Sequence, residues 1–309
     1  QDYLHHFLQD ANNFDEYRPY IREEYLKQQF ATVKILNGIG DVEKWASMLS
    51  PSQYQQLLKR VDLDFALTNP EFFADQDKVA VDLYTKNINK LIVKVFEVNA
   101  FNYYRKYGQE IDTNISLDGL VPNFEKTYEF NEPPALRVKR NFEFDQLTDH
   151  GVYIVDFIAG GKSSRALIRR GRLTMIGQPT AAGQQYRIFD HNQNLVTNAL
   201  LWISGRKYSP DDDGMITVPF TNSPSKQMAI ISRDDLSSMQ MVEQTNEDYA
   251  LQASLYVDRE SLIRSEKANL VVRPRLSVSG IPTSVGLLKE PQLSIISVNQ
   301  DGISSTTVF

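Results

Sequence analysis

The chain has no cysteine. That excludes disulfides, thiolate zinc sites and cysteine nucleophiles together, while leaving the compartment open. No window approaches the roughly 18 consecutive apolar residues needed to cross a bilayer, and Gln1-Asp2-Tyr3-Leu4 offers neither a methionine nor a basic leader. Positive charge is also short: 33 Lys and Arg face 39 Asp and Glu, a net −6 that argues against a phosphate backbone as partner. Histidine is scarce, with only His5, His6, His150 and His191, and no strand-turn-helix elbow surrounds a serine. A nucleophile-base triad built on Asp149, His150 or Ser163 is therefore not expected. What is present is an ordinary folding composition, 41% hydrophobic and 23% charged over 309 residues, enough for roughly two or three domains.

Helical grammar is confined to residues 14 to 60. Glu16 to Leu36 carries apolar residues at near-helical spacing and stops at Asn37-Gly38, and Ser50-Pro51-Ser52-Gln53 is a capping box opening a helix to Arg60. After Val61 the period falls to two. Val79, Val81 and Leu83, a turn at Asn87-Ile88-Asn89, then Leu91, Val93 and Val95 predict an antiparallel hairpin. Val152 to Ile158, a Gly160-Gly161-Lys162-Ser163 turn and Ala166 to Leu173 predict a second. A new unit is expected from Gly177, with strands at 186–189, 199–203, 215–220 and 227–231, followed by a polar linker from Ser232 to Glu247. Strands resume near Leu255, at 270–272, 276–278 and 293–298, without enough chain to close a sandwich. Phe309 ends inside a strand-like run, and a piece of a longer protein is expected.

Few motifs carry chemistry. Gly160-Gly161-Lys162-Ser163 resembles the end of a phosphate loop, but Asp156 stands where the first glycine belongs and a strand follows instead of a helix, so a hairpin turn is the better reading. Asp211, Asp212 and Asp213 before Gly214 form a weak calcium candidate without the alternating ligands of a calcium loop, and a solvated turn is preferred. Lys162, Arg165, Arg170 and Arg172 make the densest basic cluster, a candidate interaction surface or a charged strand edge, with Arg169 pointing away. Aromatics gather at Phe96, Phe101, Tyr103, Tyr104 and Tyr107, then Phe124, Tyr128 and Phe130. They are read first as core, with Tyr103 and Tyr104 as candidates for a sugar- or peptide-binding face. Asn114-Ile115-Ser116 matches a glycosylation pattern.

Tyr256-Val257-Asp258-Arg259-Glu260-Ser261-Leu262-Ile263-Arg264-Ser265-Glu266-Lys267-Ala268 resembles the opening of macroglobulin-like domains in the alpha-2-macroglobulin family, with Asp258, Arg259 and Glu266 as the motif residues. Leu262 stands where the family has an aromatic, and Ser265 where it has Pro-Gly. Gly151 to Val155 with Ser164 to Ile168, and Leu195 to Phe220 around Asp213-Gly214, are similar to strands of the same modules. The resemblance implies a mainly β chain of tandem macroglobulin-like or immunoglobulin-like antiparallel sandwiches behind a short helical segment. The expected division is 1–60 helical, 61–176 and 177–254 sandwiches, and 255–309 an incomplete third module. The expected role is a non-catalytic scaffold of a larger secreted or cell-envelope protein, with no cofactor, packing against further domains and protein partners. The family's reactive thioester needs a cysteine that this chain lacks. Two other readings are a stand-alone carbohydrate- or peptide-binding module using the aromatics, and a hydrolase built on Asp149, His150 or Asp211 to Asp213.

Overall fold

The computed structural model describes residues 2–262, 267–298 and 301–309. The protein is mainly β, with multiple sheets behind a short helical segment. It divides into two compact units, one running to Thr174 with residues 189–194 and 230–239, the other holding the remainder.

Four helices open the first unit: α1 (Asp2–Asp10), α2 (Glu23–Leu36), α3 (Val42–Ala46) and α4 (Pro51–Lys59). α1 lies outside the stretch read as helical. α2 starts seven residues after Glu16: a single 3-10 turn at Asp15–Tyr17 and a further turn closed by Ile21 N–H on Tyr17 O come first, Pro19 supplies no amide to continue a helix, and Arg22, extended at ψ 131°, separates them from Glu23. The stop holds, with Gly38 at φ +65°. At α4 the Ser50 hydroxyl accepts from Gln53 N–H while the Gln53 side chain accepts from Ser50 N–H, the reciprocal cap that the sequence announces. Leu8, Phe30 and Val33 form the helical core, with Phe14 and Trp45 edge-on to Phe30.

The first sandwich contains β1 (Asp62–Phe65), β2 (Phe72–Phe73), β3 (Ala80–Lys86), β4 (Lys90–Val98), a helix α5 (Ala100–Tyr107), β5 (Phe124–Glu129), β6 (Arg137–Glu143), β7 (Gly151–Ala159) and β8 (Lys162–Arg170). One sheet has the order β1-β3-β6, the other β2-β8-β7-β4-β5. The β3–β4 pair is therefore not a hairpin. The chain crosses at Asn87 to Asn89 from one sheet to the other, and Val81 and Leu83 meet Leu91, Val93 and Val95 across a shared core. Alternation shows that each strand has one buried face; it is the same whether the next strand lies beside or opposite. The β7–β8 hairpin forms as expected over nine paired residues, turning through Gly160 and Gly161, both at positive φ, while Lys162 and Ser163 already belong to β8. α5 is a helix the sequence reading missed, although Asn99 caps it through Asn102 N–H and Gly108 ends it at φ +66°.

Further along are β9 (Thr174–Thr180), β10 (Gly183–Phe189), β11 (Leu200–Ile203), β12 (Arg206–Tyr208), β13 (Met215–Val218), β14 (Ser225–Arg233) and β15 (Leu236–Gln244), in sheets of order β13-β10-β9 and β12-β11-β14-β15. The proposed linker is mostly β15. Its Leu236, Ser237, Val242 and Gln244 are buried, so polar residues there serve a covered strand and not a solvated connection. The boundary drawn at 176/177 falls inside β9. The last strands are β16 (Tyr249–Val257), β17 (Leu270–Val278), β18 (Ile281–Thr283), β19 (Ser294–Val298) and β20 (Ser304–Val308). β16 pairs with β17 along nine residues, so the boundary at 254/255 also cuts a strand, and 270–278 is one strand running through Pro274.

Candidate interaction surface

Acceptors brought in from distant segments decide the fate of the basic cluster on β8. Arg170 is 8% exposed and spent on backbone: its guanidinium donates to the carbonyls of Thr148 (3.0 Å), Asp77 (3.1 Å) and Asp75 (2.8 Å). Arg165 lies 3.5 Å from Asp156 and donates to Ile115 O at 2.8 Å, and Arg169 donates to Ile111 O at 2.9 Å. These two arginines strap the long segment between α5 and β5 onto β8. Lys162 remains exposed and donates to Val61 O at 2.7 Å. Only Arg172, one residue beyond the positive-φ Gly171, is exposed and without a partner among the described residues. Arg165, Arg169 and Arg170 are internal fastenings, because a covered guanidinium has five donors to satisfy and loop carbonyls are the acceptors at hand.

The aromatic candidates divide in the same way. Tyr104 is 1% exposed, donates to Glu110 Oε2 and accepts from Arg169, and burial pushes its phenol up to about 12. It is core. Tyr103 is half-buried against Tyr107 at 4.7 Å, and Phe124, Tyr128 and Phe130 pack on the sandwich core. Of the segment from Phe96 to Tyr128 offered as an alternative sugar- or peptide-binding face, Phe96 and Tyr104 are buried, Tyr103 and Tyr128 half-buried and Tyr107 exposed.

The acidic and histidine candidates do not assemble a site. Asp211 Oδ1 accepts from the Asp213 and Met215 amides, the local turn that its sequence favours, and among the described residues no three acidic or histidine side chains converge on a metal position. His150 hydrogen-bonds Asp75 at 2.5 Å, with His191 3.9 Å from the same oxygen; neither Asp149 nor a serine faces it as a triad would require. Sequence reading overlooked Asp75, whose only signal was its own charge. The His150 hydrogen bond holds the Asp75 carboxyl below the usual carboxylate range. Asp258 caps a 3-10 turn at Arg259–Ser261 through Glu260 N–H, and Glu266 lies outside the described residues.

What the geometry does offer is open strand edge. β5 and β6 each pair on one side only, and a cavity of about 690 Å³ lies between them. Residues 91–171 match a family model described as the AbpF first immunoglobulin-like domain, and 258–309 one described as the AbpF third immunoglobulin-like domain. The chain carries immunoglobulin-like domains. Residues 1–61 match the Actin-binding protein F N-terminal domain. Over 299 residues the chain is 35% identical to "Actin-binding protein F" of Dictyostelium discoideum, a match covering 94% of this chain and 13% of the relative. Among solved structures, native alpha-2-macroglobulin of Escherichia coli spanning domains MG0-NIE-MG1 matches at 13% identity and TM-score 0.39, covering 59% of this chain and 64% of that one. A chimeric titin Z1Z2 tandem matches at 10% identity and TM-score 0.30, covering 60% and 100%. At these scores neither likeness decides the fold.

Proposed function

We propose that these residues act as a non-catalytic interaction segment that contributes to binding actin. The observation that carries this reading is the 35% identity along nearly the whole chain to a protein named for actin binding, in a match that includes its N-terminal and immunoglobulin-like domains. Co-sedimentation tests it: residues 1–309 should pellet saturably with actin filaments and stay in the supernatant without them. A chain that stays soluble at tens of micromolar filament would remove actin as the partner of this segment.

A second reading is favoured by the Asp258-Arg259 turn: a macroglobulin-like scaffold of a secreted or cell-envelope protein, packed against further domains of the same polypeptide. Fractionating the producing cells separates the two. Recovery outside the membrane-enclosed cytoplasm would support the scaffold, and recovery with the cytoskeletal pellet would exclude it.

A further inference from the structure

We propose that the open edge of β5 receives an extended strand from a protein partner, one with apolar residues at alternate positions and a carboxylate among them. The backbone supplies the first argument. Phe130 N–H donates to Asn89 O at 2.9 Å, and the β4–β5 register runs from Lys90 opposite Glu129 to Val95 opposite Phe124. In an antiparallel ladder, bonding alternates residue by residue. The even-numbered residues of β5 therefore bond to β4, and the N–H and C=O of Glu125, Thr127 and Glu129 point away from the sheet. They form a row of unpaired groups matched by the backbone of one added strand.

The side chains choose among strands. Toward the cavity β5 presents Lys126, Tyr128 and Phe130, and β6 presents Arg140 and Phe142. Tyr128 and Phe130 are half-buried, with Phe142 edge-on to Tyr128 at 5.1 Å, so apolar side chains of an added strand gain contact with rings the sandwich leaves partly uncovered. Most charges of the cavity already have an ion-pair partner; among the described residues Lys126 and, at the far end of β6, Asp145 do not. Arg140 pairs with Glu132, Lys139 with Asp82 at 2.8 Å and Glu143 with Lys78 at 2.6 Å. Lys126 has no carboxylate among the described residues; its ammonium lies 4.8 Å from the Tyr128 ring centre. On the opposite face of the strand, Glu129 is exposed and makes no ion pair, although Lys90 stands across from it on β4. Lone charges on an edge repel an indiscriminate strand, and only one with an inward carboxylate and an outward cation answers both. That complementarity argues for a selected partner segment over a second copy, because β5 carries no carboxylate on its inward face and no cation on its outward face to offer another β5, and pairing about Thr127 sets Glu125 against Glu129.

The probe is an acetylated, amidated peptide of about nine residues, long enough for one strand. It alternates Val or Ile with Thr or Lys and places one Glu on the apolar side. Amide exchange on the full chain should slow at Glu125, Thr127 and Glu129 on adding this peptide. Thr127→Pro removes an outward N–H without touching the β4 ladder, so binding should be lost while Phe130 N–H keeps its native protection. If that variant unfolds, Lys126→Glu serves: affinity for the Glu peptide should fall at least about fivefold, and a peptide with Lys in place of Glu should bind better than it does to the native chain. Three results would overturn the proposal: no protection of the three amides at millimolar peptide, equal binding by a peptide N-methylated at its edge-facing amides, or concentration-dependent self-association that Thr127→Pro abolishes. None of these readouts involves actin, so the edge and the actin reading stand or fall separately.

Discussion

Lys86 is 1% exposed, yet its ammonium sits at the end of α4, donating to the carbonyls of Leu57 and Arg60, the latter at 2.8 Å. Burial pushes its pKa from 10.5 down to about 8, with Asp62 pulling it up and Arg60 down. A gap of that size corresponds to about 3 kcal/mol of penalty on the charged form in the folded state. Between pH 8 and 10.5 the unfolded chain holds more protons at this site than the folded one, so stability rises with pH across that window, and the full penalty applies below it. Lys86→Met keeps the apolar stem, removes the penalty and strands two carbonyls at about 1–3 kcal/mol each. The variant should therefore lie within a few kcal/mol of the native chain at pH 7 and lose about 3 kcal/mol relative to it by pH 10.5. Urea denaturation followed by tryptophan fluorescence in a Trp202→Phe background measures this, because Trp45 packs on Phe30 and reports the unit that holds Lys86. A native-minus-variant difference that stays flat from pH 8 to 10.5, or falls, would refute the claim that a buried ammonium fastens α4 to β3.

Arg170→Met should destabilise the first unit by about 3 kcal/mol or more, since three carbonyls lose a buried donor, whereas Arg172→Ala should stay within about 0.5 kcal/mol; urea midpoints of the two variants make the comparison. In an absorbance titration, Tyr104 and Tyr153, raised from 10.0 to about 12 chiefly by burial, should give a late step that Tyr104→Phe diminishes. Because the folded state retains those protons longer, stability should decline from pH 10 to 12, and Tyr104→Phe should reduce the decline. At the acid end, Asp75, Asp82 and Glu132 are all held below their ordinary values, principally by His150, Lys139 and Arg140, so their stabilisation is present above pH 4.5 and lost as pH falls through the lowered values. Asp75→Asn should flatten part of that acid slope, as thermal melts from pH 5 to 2 would show.

Local physics determined a good deal of this protein from its sequence alone. Ser50 to Gln53 carries its own cap, Gly160-Gly161 its own turn, and the alternation of β7 and β8 its own hairpin, because each depends on residues within a few positions of one another. The mainly β class followed from the same alternation. Only tertiary structure decided where strands lay relative to one another. Val81 and Val93 alternate identically whether β3 and β4 share a sheet or face each other across a core, and they face each other. It also decided which charges were free. Arg165, Arg169, Arg170 and Arg172 look alike in sequence, but the carbonyls that claim the first three come from segments far away along the chain, and Arg172 has none. The same holds for Lys126, marked out not by its neighbours in sequence but by the carboxylates that other basic residues around the cavity had already taken. A side chain's partners are fixed by distances that folding creates, and those distances have no trace in the spacing of residues along the chain.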